Sequence, residues 1–306
     1  MKASTLLLAL MLGLLQTPPA LRPDPPSKCA DCDEWNRPHA PFRVFGNTYY
    51  VGVAGISAVL ITNGGASILL DGGLTQSAAP IDANIRKLGF KTEDVKLIVN
   101  SHAHYDHAGG IAALQRVSGA DVAASAAGKR AMEQGEPTRD DPQYGFGRAA
   151  NGYPAVKNVR VVSDGETLRV GDLAITAHLT PGHTPGATTW TWRACEGAKC
   201  HDIVYADSLN AVAAPGFRFT GGKGTPSTID TFRKTIAKIA ALPCDIILSV
   251  HPSATDMDAK IKQRSEKATP DPFVTPNGCR AYAKGAAARL DARIAEEGKG
   301  TPPATR

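Results

Sequence analysis

The chain has 306 residues, 42% of them hydrophobic and 21% charged, which is enough apolar material for a large buried core and excludes a disordered or fibrous chain. Thirty-four basic residues against 29 acidic ones leave a net charge of only +5, too small and too evenly spread to argue for a nucleic-acid partner. The 22 Pro and 30 Gly punctuate apolar segments and do not gather into a low-complexity tract.

The N-terminus reads MKASTLLLALMLGLLQTPPA: one Lys, an apolar run from Leu6 to Leu15, then a Pro-rich break. That is the pattern of a secretory signal peptide over residues 1–20, because crossing a bilayer takes about 20 apolar residues and this run is shorter. No later segment is apolar for long enough to span a membrane. The expected destination is the periplasm or the exterior. Residues 21–40, rich in Pro and Asp, read as an extended arm, and residues 41–306 as a single domain.

Strand-like runs follow at Asn47 to Val53, Ser57 to Thr62 and Ala66 to Asp71, separated by Gly55 and an Asn63-Gly64-Gly65 turn. Ile81, Ile85 and Leu88 recur at helical spacing before the apolar strand Val95 to Asn100. Ile111 to Val117 reads as a helix, Asp121 to Ser125 as a short strand and Lys129 to Gln134 as another helix. Gly135 to Lys157 is long and irregular, a kind of segment that often carries function. A β-rich block resumes at Val159 and runs through Trp192. A helix marked by Ile229, Phe232, Ile236 and Ile239 then leads into the strand Asp245 to Val250, and helices near Asp256 to Lys267 and Gly278 to Glu296 close the chain. Strand blocks bracketed by strand–helix units imply two packed sheets with helices outside.

Six cysteines behind an export signal read as disulfides. Spacing alone leaves the pairing open; neighbour with neighbour is favoured, that is Cys29 with Cys32, Cys195 with Cys200 across a hairpin tip, and Cys244 with Cys279.

The chemistry concentrates in Ser101-His102-Ala103-His104-Tyr105-Asp106-His107, directly after a buried strand. Residues two apart on extended chain face the same way, so His102 and His104 can share one metal ion, while Asp106 and His107 can turn toward a second as the chain bends into a helix. A lone His is usually structural, as His39, His178 and His201 are expected to be. Three His and an Asp in one such run are not. Further ligands are expected at other strand ends, at His183 within Thr180-Pro-Gly-His-Thr-Pro-Gly186 and at His251 within Val250-His-Pro252.

Asp71 at the end of Ser67-Ile-Leu-Leu-Asp, the HAHYDH run, Gly182-His183-Thr184, Ala206-Asp207-Ser208 and Val250-His251 together resemble, in order, the motifs of the metallo-β-lactamase superfamily, and most closely its third subclass, B3. The resemblance covers most of the chain. It implies an αββα fold and two zinc ions, one held by His102, His104 and His183 and the other by Asp106, His107 and His251. It gives Asp71 a supporting role beside the ligands. Ser208 stands where related zinc enzymes carry a coordinating Cys; a hydroxyl is a poor zinc ligand, so Ser208 and Asn210 are expected to receive a substrate carboxylate. Gln143 is expected on one wall of the site. In glyoxalase-II-like relatives an Asp near position 207 bridges two metals. Adjacent residues on a regular strand face opposite ways, so either Asp207 or Ser208 should face the site, and the flanking residues favour Ser208.

The implied activity is hydrolysis of penicillins, cephalosporins and carbapenems by a zinc-bound hydroxide, since zinc lowers the pKa of its water to about 7, with Asp106 orienting that water. The partner would be a small β-lactam and the chain a monomer. A secreted lactonase or thioesterase on the same dinuclear site is the alternative.

Overall fold

Side-chain alternation along extended chain decides the layers of this protein. In the computed structural model, which describes residues 20–222 and 224–299, Ile68 and Leu70 face one way among apolar residues of both sheets, and Leu69 faces the other way toward helices. The expected signal peptide lies outside the described residues, apart from Ala20.

The first sheet holds seven strands in chain order: β1 (Phe42–Phe45), β2 (Thr48–Tyr50), β3 (Val59–Thr62), β4 (Ser67–Leu70), β5 (Val95–Val99), β6 (Asp121–Ala124) and β7 (Val159–Val161). The first four pair antiparallel, as the tight turns between them require, and β4 to β7 pair parallel through helical crossovers. The second sheet runs in the order β12-β11-β10-β9-β8, with β8 (Thr167–Val170), β9 (Leu173–Leu179), β10 (Thr188–Glu196), β11 (Lys199–Ala206) and β12 (Ile246–Ser249). The sequence pattern placed Val159 with the later β-rich block. The structure instead seats it on the first sheet, Val159 opposite Val122, because the helix after β6 returns the chain parallel to that strand.

Between the sheets lie Tyr50, Ile61, Leu97, Ile175, Trp190 and Tyr205, all buried; each such side chain contributes roughly 1.5–3 kcal/mol of transfer free energy. Trp190 and Trp192 pack here as expected of a sheet face, and the Trp190 indole N–H donates to the Asn100 carbonyl across the layers at 3.0 Å. Against the outer face of the first sheet pack α2 (Ala78–Lys87), α4 (Ile111–Ser118) and α5 (Ala126–Gln134). Against the second pack α7 (Ile229–Ala241) and α9 (Gly278–Gly298), through Phe232, Ile236, Ile239 and Leu290. Helix α8 (Met257–Ser265) lies between β12 and α9 in sequence. The architecture is αββα.

Three short helices flank the mouth between the sheets. The arm is not extended throughout, since Cys32–Trp35 form α1. Tyr105–Ala108 form α3, and Arg148–Asn151 form α6 within the long irregular segment. All three neighbouring cysteine pairs are bridged, with Cys195 directly opposite Cys200 in the β10–β11 register.

Two glycines allow α3 and α4 to sit close to the end of β4. A Cβ on Gly110 would lie 2.3 Å from the Gly72 carbonyl oxygen, and one on Gly109 would lie 2.6 Å from the Thr75 nitrogen. Backbone therefore packs on backbone here, which swings the turn carrying Asp106 and His107 toward Asp71.

Candidate metal centre

Strand β5 ends in the apolar run Leu97-Ile98-Val99, and the chain leaves the sheet at Asn100 with its next residues still buried. Asp71, at the end of the adjacent strand β4, fastens that exit. Its carboxylate accepts from the Asn100 amide at 3.0 Å, the Ser101 backbone N–H at 2.7 Å, the Ser101 hydroxyl at 2.6 Å and the Tyr205 hydroxyl at 2.9 Å. To do so Asp71 adopts a positive φ of 60°, a conformation uncommon for a residue with a side chain. Burial raises its pKa, against the opposing pull of His107.

Beyond this fastening, His102, His104, Asp106 and His107 converge with His183, from the turn after β9, and His251, which follows β12. Ligand atoms of His102, His104 and His183 lie within 4.8 Å of one another, and so do those of His102, Asp106 and His107. His251 completes the group from the far side, with Nε2 3.4 Å from the Asp106 carboxylate and its ring 4.9 Å from that of His107.

The tautomers follow from the outward hydrogen bonds. His102 Nδ1 donates to Asp207 at 2.7 Å, His104 Nε2 to Asp141 at 3.1 Å, His183 Nδ1 to the Asn210 carbonyl at 2.8 Å and His251 Nδ1 to the Gly55 carbonyl at 3.0 Å. Each leaves its other ring nitrogen facing inward as a lone-pair donor, which is how a metal-binding imidazole is held. His102 Nε2 is buried with no hydrogen-bond partner. His107, its Nδ1 4.0 Å from Asp71, has no hydrogen-bond partner either, although its Nε2 stands 3.2 Å from Asp106. Buried orphaned nitrogens beside an ionised carboxylate are the signature of a cation site. Because His102 has one nitrogen left to give, it can serve one ion, and His251 is the remaining imidazole for the Asp106–His107 pair.

The electrostatics favour neutral imidazoles at His102 and His183 around an anionic Asp106. Burial first, then the neighbouring His107, His183 and His104, hold the His102 pKa well below its ordinary value. Burial, followed by His104, brings His183 down to about 3. Burial also acts to lower His104, but Asp141 outweighs it and the net shift is upward. For Asp106, burial works toward a higher pKa and is overcome by His107 and His251, which leave it well below the carboxylate range.

The chain is similar along residues 51–209 to the family model described as the metallo-beta-lactamase superfamily. It belongs to that superfamily. Among solved structures it resembles MEM-A1, a subclass B3 metallo-β-lactamase isolated from a soil metagenome library, at 49% identity and a TM-score of 0.83, covering 87% of this chain and 100% of that one. It likewise resembles SMB-1 in a complex with mercaptoacetic acid, at 42% identity and a TM-score of 0.81, over 86% of this chain and 99% of the other. The hydroxyacylglutathione hydrolase of Rhodospirillum rubrum is 25% identical over 184 residues, 60% of this chain. The chain spans about half the length of the curated relatives it matches, 56% of that enzyme and 40% of a probable metallo-hydrolase of Burkholderia pseudomallei.

The candidate metal site opens into a cleft of about 790 Å³. Ser208, Asn210, Gln143 and Phe146 line it, whereas Tyr144 is 39% exposed and lies outside the lining. The alternation rule for Asp207 and Ser208 does not apply, because β11 ends at Ala206. Asp207 turns behind His102, and Ser208 faces the cleft. Burial, then Asp71, raises the Asp207 pKa well above the usual range.

Two contributors escaped the sequence reading. Asp141 sits in the irregular segment, and its only signal there was an acidic pair, Asp140-Asp141, in a Gly- and Pro-rich stretch. The arm supplies another wall: Cys29, Asp31 and Trp35 line the cleft, with the Trp35 ring 5.4 Å from that of His251. His39, His178 and His201 stand away from the cluster. His178 bonds Thr191 at 2.9 Å and His201 packs edge-on against Phe45.

Proposed function

We propose that this chain is a zinc-dependent β-lactamase that opens the four-membered lactam of penicillins, cephalosporins and carbapenems. The observation that carries the reading is the convergence of five imidazoles and Asp106 at the floor of a cleft whose wall presents Ser208 and Asn210. The donor set suits two zinc ions: His102, His104 and His183 for one, and Asp106, His107 and His251 for the other. Zinc bound there supplies Lewis acidity and a water acidified to near neutral pKa.

The protein's own share is positioning. Asp106, kept ionised, accepts a hydrogen bond from the attacking water and aims its oxygen at the carbonyl carbon. The Ser208 hydroxyl and the Asn210 amide take the carboxylate borne by bicyclic β-lactams, and Gln143 and Phe146 close one side. Water adds to the carbonyl, the carbon–nitrogen bond breaks, and the departing nitrogen gains a proton, giving a β-amino acid.

A thioesterase on the same site is the second reading, prompted by the Rhodospirillum rubrum relative. Asp207 argues against it. Its carboxylate is engaged on the outer nitrogen of His102 at 2.7 Å, behind the ring, instead of lying between the two ligand groups. Three disulfides favour an oxidising compartment, so we place the enzyme in the periplasm or outside the cell; its assembly state we propose, separately, to be a monomer. Among the described residues no helix is long and apolar enough to cross a membrane.

The deciding assay is nitrocefin hydrolysis with and without a chelator, alongside acyl-homoserine lactones and glutathione thioesters. Turnover of nitrocefin that is lost on chelation and restored by zinc is expected, and mercaptoacetic acid, which SMB-1 holds, is expected to inhibit. A protein loaded with two zinc ions that turns over no β-lactam would overturn the assignment.

A further inference from the structure

Outside the metal centre, the charged side chains that are buried among the described residues are Arg293 and Glu297, one turn apart near the end of α9. They pair at 2.7 Å with both side chains almost wholly covered. A charge pair is removed from water at a cost that its geometry must repay, and here each partner makes contacts beyond the pair. Arg293 reaches the carbonyls of Ala211 at 3.3 Å and Phe217 at 3.4 Å and lies over the Phe219 ring. Glu297 accepts from the backbone N–H groups of Phe219 at 3.0 Å and Thr220 at 2.9 Å, and from the Thr220 hydroxyl at 2.7 Å. In return the Arg218 guanidinium donates to the Glu297 carbonyl at 2.8 Å.

All of these contacts fall on the segment between β11 and α7, which has no strand or helix of its own to hold it. The same segment presents Ser208 and Asn210 to the cleft, and the Asn210 carbonyl fixes His183 through Nδ1. Arg293 touches Ala211, the next residue along.

We propose that Arg293 and Glu297 are positioning residues: a buried ionic clamp on the C-terminal helix that sets the 208–220 segment, and through the Asn210 carbonyl and the Ser208–Asn210 wall controls both metal retention by His183 and capture of an anionic substrate. The substrate half of this inference rests on the β-lactamase reading; the metal half does not. The clamp works through hydrogen bonds in register with one loop, so an apolar pair of similar volume preserves packing and removes the register, together with the cationic group that Arg293 contributes to the cleft lining; amide exchange and zinc retention therefore judge the clamp, and KM reads the two effects together.

The test uses the full mature chain carrying Arg293→Met together with Glu297→Leu, compared with the unsubstituted protein. Amide exchange across 209–220, zinc retention against a chromophoric chelator, and kcat and KM for nitrocefin are measured after a thermal melt confirms folding. Exchange in that segment is expected to quicken while the sheets stay protected. Zinc retention should weaken by about tenfold, the lower end of what the loss of a ligand's outer partner produces, and KM should rise more than kcat falls. A folded double variant with unchanged exchange and zinc retention overturns the clamp. If the double variant does not fold, Arg293→Lys decides: it keeps the charge but cannot bridge Glu297, Ala211 and Phe217 together, so it must show the same changes in exchange and zinc retention, and unaltered values refute the idea. Absence of nitrocefin turnover by the unsubstituted protein would retire the β-lactamase reading alone, because exchange and zinc retention would still judge the clamp.

Discussion

Replacing Asp141 with Ala removes the acceptor that holds His104. Both carboxylate oxygens lie near His104 Nε2, at 3.1 and 3.2 Å, and both side chains are buried. Oδ1 also accepts from the Gln143 N–H at 2.8 Å, so the substitution frees the ring and loosens the start of the cleft wall. A hydrogen bond to a charged partner is worth about 1.5–3 kcal/mol. Independently, losing the outer partner of a metal-binding His costs roughly 10–100-fold in metal affinity, which is about 1.4–2.7 kcal/mol. The two routes agree, so Asp141→Ala should weaken zinc binding by one to two orders of magnitude. Asp141→Asn keeps an oxygen for the ring N–H while losing the charge, and should fall between. Competition with a chromophoric chelator, read beside nitrocefin kcat/KM, measures the effect. Zinc held as tightly by Asp141→Ala as by the unsubstituted chain would show that the carboxylate does not orient the ligand, and the tautomer argument for His104 would fail with it.

Removing the Cys244–Cys279 bridge with paired Ser substitutions opens a loop with a sequence separation of 35, expected to cost about 4 kcal/mol on the chain-entropy account and roughly 10 °C in Tm; calorimetry showing no shift would contradict it. Gly110→Ala forces a methyl to within 2.3 Å of the Gly72 carbonyl and should destabilise by about 1–3 kcal/mol, seen as a lower urea midpoint and poorer zinc retention. In the metal-free chain, His183 titrates near 3 against an ordinary 6.5. The folded state therefore declines a proton that the unfolded chain accepts, so the stability from this group is full above about pH 6.5 and declines as pH falls toward 3, by up to a few kcal/mol. Denaturant midpoints of the metal-free chain that do not fall over this window would refute the shift.

Much of the site was legible because its signals are local. His102, His104, Asp106 and His107 lie within one stretch behind an apolar strand, so their convergence follows from strand periodicity and the turn into a helix. The disulfides join neighbouring cysteines, and the alternating strands and the helix periods announce two sheets with helices outside. Strand-end position extended this to His183 and His251, and motif resemblance added the supporting Asp71, whose four accepted hydrogen bonds the structure supplies.

What composition and pattern could decide by themselves was which residues are chemically able to hold a metal, and that the chain folds as a layered α/β domain. Only the tertiary structure decided how each imidazole is oriented. Those orientations depend on acceptors far away in sequence: His251 donates to Gly55, 196 residues earlier, and His102 to Asp207, 105 residues later. The same holds for the arm beside His251, for β7 joining the first sheet, and for Arg293 and Glu297 gripping a distant loop. A hydrogen bond needs its two atoms within about 3 Å, and no periodicity along a single segment specifies which remote backbone will arrive at that distance once the sheets have packed.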